Sequence, residues 1–276
     1  MVEGLRTLRF PLVPSRGSAC GLASAALYLA FIGLPIVALL IRAFQQETFL
    51  DTLTSDMALT ALRLSLVTST ITMLLLLAIG TPFAYMLARS TSPFSRIVDT
   101  MVELPIVLPP VVAGVAMLMA FGRQGIIGPP LESIGITLPF TTIAVVFAQL
   151  FVASPFYIRA ARLGFQSVAK DYEDVSQTLG VSPWWTFWRL TLPLAMPSLA
   201  TGIALAWARA LAEFGATLMF AGNLTGKTQT MPLAIMTAME TSLDEALALS
   251  VLLVAWSVFL LTVLGLATRR QWQGRL

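Results

Sequence analysis

Apolar residues in this chain fall in long runs, separated by short polar stretches that hold nearly all of the charge. A helix crossing the hydrocarbon of a bilayer needs about 20 mostly apolar residues. Six runs meet that length: about Cys20 to Ile41, Leu59 to Leu87, Met101 to Phe121, Phe140 to Ala161, Leu194 to Phe220 and Ala246 to Ala267. The pattern predicts an all-α, polytopic membrane protein with six transmembrane helices. The loops are too short for a soluble domain. The expected organisation is an N-terminal segment (1–19), one membrane-embedded domain (20–267) and a C-terminal tail (268–276).

Composition narrows the class. Of 276 residues, 57% are hydrophobic and 11% charged, and the mean hydropathy is +0.83. An ordinary soluble domain carries about 25% charged residues, so a soluble enzyme is excluded. Disorder is excluded too, because it requires low hydrophobicity. The chain has no His and a single Cys, Cys20, which removes the commonest general base, any internal disulfide and any thiolate cage. Charge position then sets orientation. Arg6, Arg9, Arg16, Arg89, Arg96, Arg159, Arg162, Lys170, Arg189, Arg269, Arg270 and Arg275, twelve of the 17 basic residues, fall in alternate loops on one side. The other loops hold Arg42, Arg123 and Lys227, beside Glu47, Asp51, Asp56, Glu132 and Glu240. Cytoplasmic loops collect Lys and Arg, so both termini are expected in the cytoplasm. The basic start followed by an apolar run has the look of a signal peptide. The run is longer than a signal core, so cleavage is not expected.

Three stretches carry candidate chemistry. Residues 103–114 read ELPIVLPPVVAG, in which Pro105, Pro109 and Pro110 each remove a backbone donor. Lipid cannot satisfy the freed carbonyls, so the segment is expected to be broken and turned inward. It either kinks the bundle or lines a pathway. In the fifth run, Arg209 and Glu213 stand four apart on one helix face and can pair. Arg63 or Glu103 are alternative partners across helices. An ionisable residue at membrane depth faces protein or water, so the pair is either a packing bridge or part of a pathway. The same stretch runs on into GNLTGKT (222–228), which resembles a phosphate-binding P-loop, but only three residues separate Gly222 from Gly226, one too few. It is expected to be a mobile polar loop at the external mouth, with Asn223 as a pathway candidate.

The third stretch, at about 168–193, is expected to form two short cytoplasmic helices. Val168, Tyr172, Val175 and Leu179 lie on one helical face, and Asp171, Glu173 and Asp174 occupy the early turns. Gly180 ends the first helix. Ser182 and Pro183 start the second, which carries Trp184, Trp185, Phe187 and Trp188. The protrusion suits docking to another protein. Equally, it suits an amphipathic connector lying on lipid headgroups.

This stretch resembles the EAA loop of ABC importer permease subunits, which reads Glu-Ala-Ala, three residues, Gly, nine residues, Ile-x-Leu-Pro. Asp174-Val175-Ser176 stand in the Glu-Ala-Ala place, Gly180 follows at the same spacing, and Leu190-Thr191-Leu192-Pro193 closes the pattern. Glu173 matches a second acid often found just before it. Asp for Glu and Val-Ser for Ala-Ala are departures that weaken the helix while keeping the acid and the turn. RALAEFGATLMFAGN and GKTQTMPLAI resemble the molybdate/tungstate branch of that family. ELPIVLPPVVAG and FVASPFYIRAARL fit the wider sulfate and molybdate group. The resemblance runs from about Leu59 onward.

The resemblance implies a type I importer permease working by alternating access. It implies a second copy of the chain, two ATP-binding cassette subunits docked on the cytoplasmic loop, and an external oxyanion-binding protein. Lipid surrounds it, nucleic acid has no part, and ATP-Mg is used by the partner ATPase with no cofactor bound by this chain. In that reading Asp171, Glu173, Asp174, Val175, Ser176, Gly180, Leu190, Leu192 and Pro193 serve docking. Pro109, Pro110, Arg209, Glu213 and Asn223 are pathway or gate candidates. Two other classes are weighed: a secondary transporter or channel for a small anion, and an intramembrane enzyme, for which the residues offer no catalytic set.

Overall fold

The computed structural model describes the backbone of residues 16–273 and the side chains of 21–266. The terminal segments and the side chains of Arg6, Arg9, Arg16, Cys20, Arg269, Arg270 and Arg275 lie outside the described residues. All regular structure among the described residues is helical. The chain divides into two compact units, Met1–Glu47 and Thr48–Leu276. The described part of the first unit is one apolar helix, α1 (Arg16–Phe44), with Leu27, Phe31 and Leu34 exposed along it.

The second unit contains α2 (Phe49–Leu53), α3 (Asp56–Leu75), α4 (Thr81–Arg89), α5 (Pro93–Val107), α6 (Pro110–Phe121), α7 (Gly128–Ser133) and α8 (Thr142–Ser167). There follow α9 (Lys170–Thr178), α10 (Pro183–Thr186), α11 (Leu192–Leu211), α12 (Gly215–Ala221), α13 (Met231–Thr241) and α14 (Leu243–Gln273). Hydroxyl side chains start several of these where the pattern turns from polar to apolar. Ser55 accepts from the Ala58 N–H, Ser92 from Phe94 and Thr141 from Ala144.

Five helical stretches are long and apolar enough to cross a membrane: Gly21–Phe44, Asp56–Arg89, Thr142–Ser167, Pro183–Leu211 and Leu243–Leu266. The third expected span differs. It is two helices, α5 and α6, bent by 118°. Leu108 and Pro109 each precede a proline, which drives both into extended backbone with ψ of 129° and 136°. Pro105 does not break α5, and Pro110 sits in the first turn of α6, where its missing N–H costs nothing.

The fifth span also differs from expectation. It ends at Leu211, not Phe220, and α12 begins after a break at Glu213 and Phe214. Two spans contain a π-helical turn, Leu76–Gly80 and Phe187–Thr191, each followed by a proline in the next α-helical turn, Pro82 and Pro193. A proline cannot donate and clashes with the carbonyl four residues back, so the ladder slips by one residue and the helix continues.

Small residues bring these helices together. A Cβ on Gly164 would lie 2.6 Å from the Ser198 Cβ, and one on Gly202 would lie 2.8 Å from the Ala160 Cβ, so α8 and α11 pack backbone to backbone. Gly114 against Ala216 and Met219, and Gly215 against Pro110, do the same for α6 and α12. The hydroxyls of α3 supply the polar contacts. Ser65, Thr68, Ser69 and Thr72 are all buried at helical spacing. Ser69 accepts from the Trp207 indole at 3.0 Å, Thr72 donates to Gln149 Oε1 at 3.1 Å, and Ser65 accepts from the Met231 N–H at 2.8 Å. The last of these caps α13 from a different helix. Contacts of this kind contribute roughly 0.6 kcal/mol each in a membrane.

Gly164→Leu must displace Ser198. It is expected to destabilise the detergent-solubilised protein by about 1–3 kcal/mol, seen as a lower melting temperature. Gly265→Leu, with nothing within 4 Å of its Cβ position, is expected to leave the melting temperature unchanged.

Candidate functional site

The segment 168–193 forms the expected pair of short helices. Gly180 adopts φ +84°, and the Val181 N–H returns to the Ser176 carbonyl, which closes α9. Ser182 holds extended backbone before α10 without a side-chain cap; its carbonyl accepts the Thr186 N–H. Ser176 and Thr186 share a 2.9 Å hydrogen bond that ties α9 to α10.

The faces are arranged differently from the sequence reading. Tyr172, Val175 and Leu179 are exposed, with Asp171 and Asp174 beside them, while Val168 is buried. The outer face is thus an apolar stripe flanked by two acids. Glu173, expected among the docking acids, turns inward and is buried. Its Oε1 accepts from Arg89 Nη2 at 2.7 Å and from Thr191 Oγ1 at 2.7 Å, and its Oε2 from the Tyr85 hydroxyl at 3.3 Å. A buried carboxylate needs such partners, and these satisfy it. Leu190, Leu192 and Pro193 are half-buried where the chain enters the long helix. Trp184, Trp185 and Trp188 are exposed, and the Arg189 guanidinium lies 4.5 Å over the Trp185 ring.

Further ion pairs gather at this end. Arg162 pairs with Asp99, and Arg159 with Glu103 at 3.8 Å, joining α8 to α5. Glu103 is therefore engaged elsewhere than at Arg209, and Arg63 is exposed near the start of α3. Arg209 approaches Glu213 Oε2 to 2.8 Å, off the hydrogen-bonding direction. Glu213 lies past the end of α11, so the pair spans a helix end instead of one continuous face. Its Oε1 accepts the Ala216 N–H at 2.7 Å and so starts α12. Pro109 and Pro110 stay exposed at the 118° bend, where the segment was expected to turn inward, although Pro110 rests on Gly215 of α12.

The loop after α12 is closed on itself, contrary to the expected mobile loop. Leu224 O accepts the N–H groups of Lys227, Thr228 and Gln229. Thr228 Oγ1 accepts from the Leu224 N–H and donates to the Gly222 carbonyl. Those amides are spent internally, so the loop is no phosphate cradle. Asn223 is half-buried and donates to Thr237 Oγ1 at 2.9 Å. Arg123 and Lys227 line a separate open hollow of about 590 Å³ with Gln124, Thr137 and Thr141.

Sequence reasoning missed the partners of Glu173 and the α3 hydroxyl stripe. Ser65, Thr68, Ser69 and Thr72 stand at helical spacing and were legible as a polar face. Arg89 and Thr191 carried no signal of their own, since they meet Glu173 only through the fold.

The described residues thus form a broken helical bundle, packed through small residues and carrying a short two-helix protrusion. Residues 80–271 match the family described as binding-protein-dependent transport system inner membrane component, and the chain belongs to that family of ABC-transporter permeases, multi-pass proteins of the cell inner membrane. It is 44% identical over 241 residues to the "Molybdenum transport system permease protein ModB" of Mycobacterium bovis, covering 87% of this chain and 90% of that one. It is 34% identical over 231 residues to the "Probable sulfate transport system permease protein cysT" of Chlorokybus atmophyticus, covering 83% and 81%. A crystal structure of a bacterial alginate ABC transporter, in complex with an alginate pentasaccharide-bound periplasmic protein, contains a chain of the same fold. Its TM-score is 0.73 at 16% identity, covering 91% of this chain and 93% of that one.

If Arg209 and Glu213 act as one unit, the double variant Arg209→Ala/Glu213→Ala is expected to be less destabilised than the sum of the single variants. The expected difference is about 1 to 3 kcal/mol in thermal melts of the detergent-solubilised protein.

Proposed function

We propose that this chain is the membrane-spanning subunit of an ATP-driven importer whose cargo is a tetrahedral oxyanion, molybdate. The 44% identity to a molybdenum transport permease over 87% of the chain carries this reading; the sulfate relative stands at 34%. In this reading 20–267 is one permease domain, and 168–193 is its coupling segment.

The two ends of α8 support a cytoplasmic place for the coupling segment. Its first residue, Thr142, donates to the Lys227 carbonyl, and its last turns carry Arg159 and Arg162. A helix of 26 residues is about 39 Å long, enough to separate two membrane faces. Arg89, Arg96, Arg159, Arg162, Lys170 and Arg189 then mark the cytoplasmic face. The hollow at Arg123 and Lys227 opens on the other side, where positive charge favours an arriving anion.

The exposed Tyr172–Val175–Leu179 stripe with Asp171 and Asp174 is the surface offered to an ATPase subunit. Two such subunits on two copies of the chain, and a binding protein outside, complete the assembly. Each copy's exposed α5–α6 break lies at the pathway between copies. ATP-Mg acts in the partner, this chain catalysing nothing and binding no nucleotide or nucleic acid. Transport then arises because ATP and the loaded binding protein favour different states of the permease. A secondary transporter would require a carboxylate free to exchange its ligand; Glu213 is held by Arg209 and the Ala216 amide.

Co-expression with an ATPase and a binding protein, in cells lacking their own molybdate uptake, is expected to restore uptake of labelled molybdate. Uptake of sulfate alone would overturn the cargo assignment. Asp174→Lys combined with Leu179→Asp is expected to reduce co-purification of the ATPase about tenfold, as for loss of a central interface contact. Insertion into the membrane should stay normal.

A further inference from the structure

The outer face of α9 is exposed, so any force applied there must reach the membrane helices through the inner face. That face carries one charged group, Glu173. It holds hydrogen bonds from Arg89 and Tyr85 at the end of the Asp56–Arg89 span, and from Thr191 in the π-helical turn that opens into α11. Arg89 also donates from Nη1 to the Val168 carbonyl at 3.1 Å, which fixes the chain just before α9. The Tyr85 ring is itself seated edge-on against Phe165 of α8 and Phe187, at 5.4 and 5.0 Å between centroids. Three pieces of the fold therefore meet at a single carboxylate, α9, the end of the Asp56–Arg89 span and the turn that opens into α11, and α8 joins them through Tyr85 and Arg89.

We propose that Glu173 is a positioning residue for transport: it makes α9 move as one body with the Asp56–Arg89 span and α11, and does not itself touch the ATPase. The inference rests on the importer reading above. A charge-assisted hydrogen bond is stronger and more directional than a neutral one, so an ionised Glu173 between Arg89 and Thr191 resists sliding of α9 against the bundle. Thr191 lies inside a π-helical turn, where the backbone ladder has already slipped by a residue. The clamp thus takes hold at the irregular turn of that span.

The test uses the whole complex of permease, ATPase and binding protein in proteoliposomes, with anion uptake and ATP hydrolysis measured together. Glu173→Gln keeps the shape and removes the charge. It is expected to co-purify with the ATPase as wild type does and to keep hydrolysing ATP. Uptake per ATP hydrolysed should fall about tenfold, the scale of coupling carried by such networks. Thr191→Val, which deletes one bond to the carboxylate and leaves Arg89 in place, is expected to lower the same ratio by a smaller factor.

An unchanged ratio in both variants would overturn the proposal, and so would loss of ATPase attachment in Glu173→Gln, which would place Glu173 in docking. Should Glu173→Gln fail to fold and insert into the membrane at all, the Thr191→Val ratio decides alone. Wild-type complex that neither binds an ATPase nor moves an anion would instead sink the importer reading, which separates the two failures.

Discussion

Backbone amides and carbonyls inside a bilayer find no water, so each one that leaves a helical ladder must be met by the protein. The irregular parts of this chain answer to that requirement one by one. Where α11 stops, the Glu213 carboxylate takes the Ala216 amide and starts α12. Where α13 starts, the Ser65 hydroxyl reaches across from α3 to take the Met231 amide. Where the loop after α12 turns back, Leu224 and Thr228 absorb its amides. Prolines at the irregular points are accommodated by a π-helical turn ahead of Pro82 and Pro193, by a first-turn position at Pro110 and by a full break at Leu108–Pro109, while Pro105, Pro155 and Pro197 stay inside continuing helices.

The same constraint shapes how the helices hold together. Lipid is as apolar as leucine, so burying leucine side chains between helices brings little advantage. Close backbone approach at Gly164, Gly202, Gly114 and Gly215, with hydroxyl and indole hydrogen bonds along α3, takes over that role. Large apolar side chains such as Leu74, Ile79 and Met119 face outward instead. At the two-helix segment 168–193 charged side chains gather instead. There the structure spends one acid inside, on Arg89, Tyr85 and Thr191, and leaves Asp171 and Asp174 outside with an apolar stripe.

Much of this architecture was legible in the chain. Long apolar runs marked the helical spans, and the spacing from Asp174 to Gly180 to Leu192-Pro193 marked the two-helix segment. The left-handed Gly180 is as the spacing required. The break at Pro109–Pro110 was legible as well, because residues before proline are confined locally. The place where α11 ends was not legible. Residues 207–221 read as one apolar run, and only the capture of the Ala216 amide by Glu213 shows that the helix restarts.

The sequence by itself determined what depends on neighbours in the chain: helix length, proline breaks, the glycine turn, and the charge bias between loops. These follow from local sterics and from the transfer of apolar side chains out of water, which act residue by residue. Tertiary structure alone decided which acid faces in. Asp171, Glu173 and Asp174 are alike in type and lie within one turn of each other. Glu173 is singled out because Arg89, Tyr85 and Thr191, two of them more than eighty residues away, converge on it. A carboxylate's partners come from the whole fold, and no local pattern carries that information.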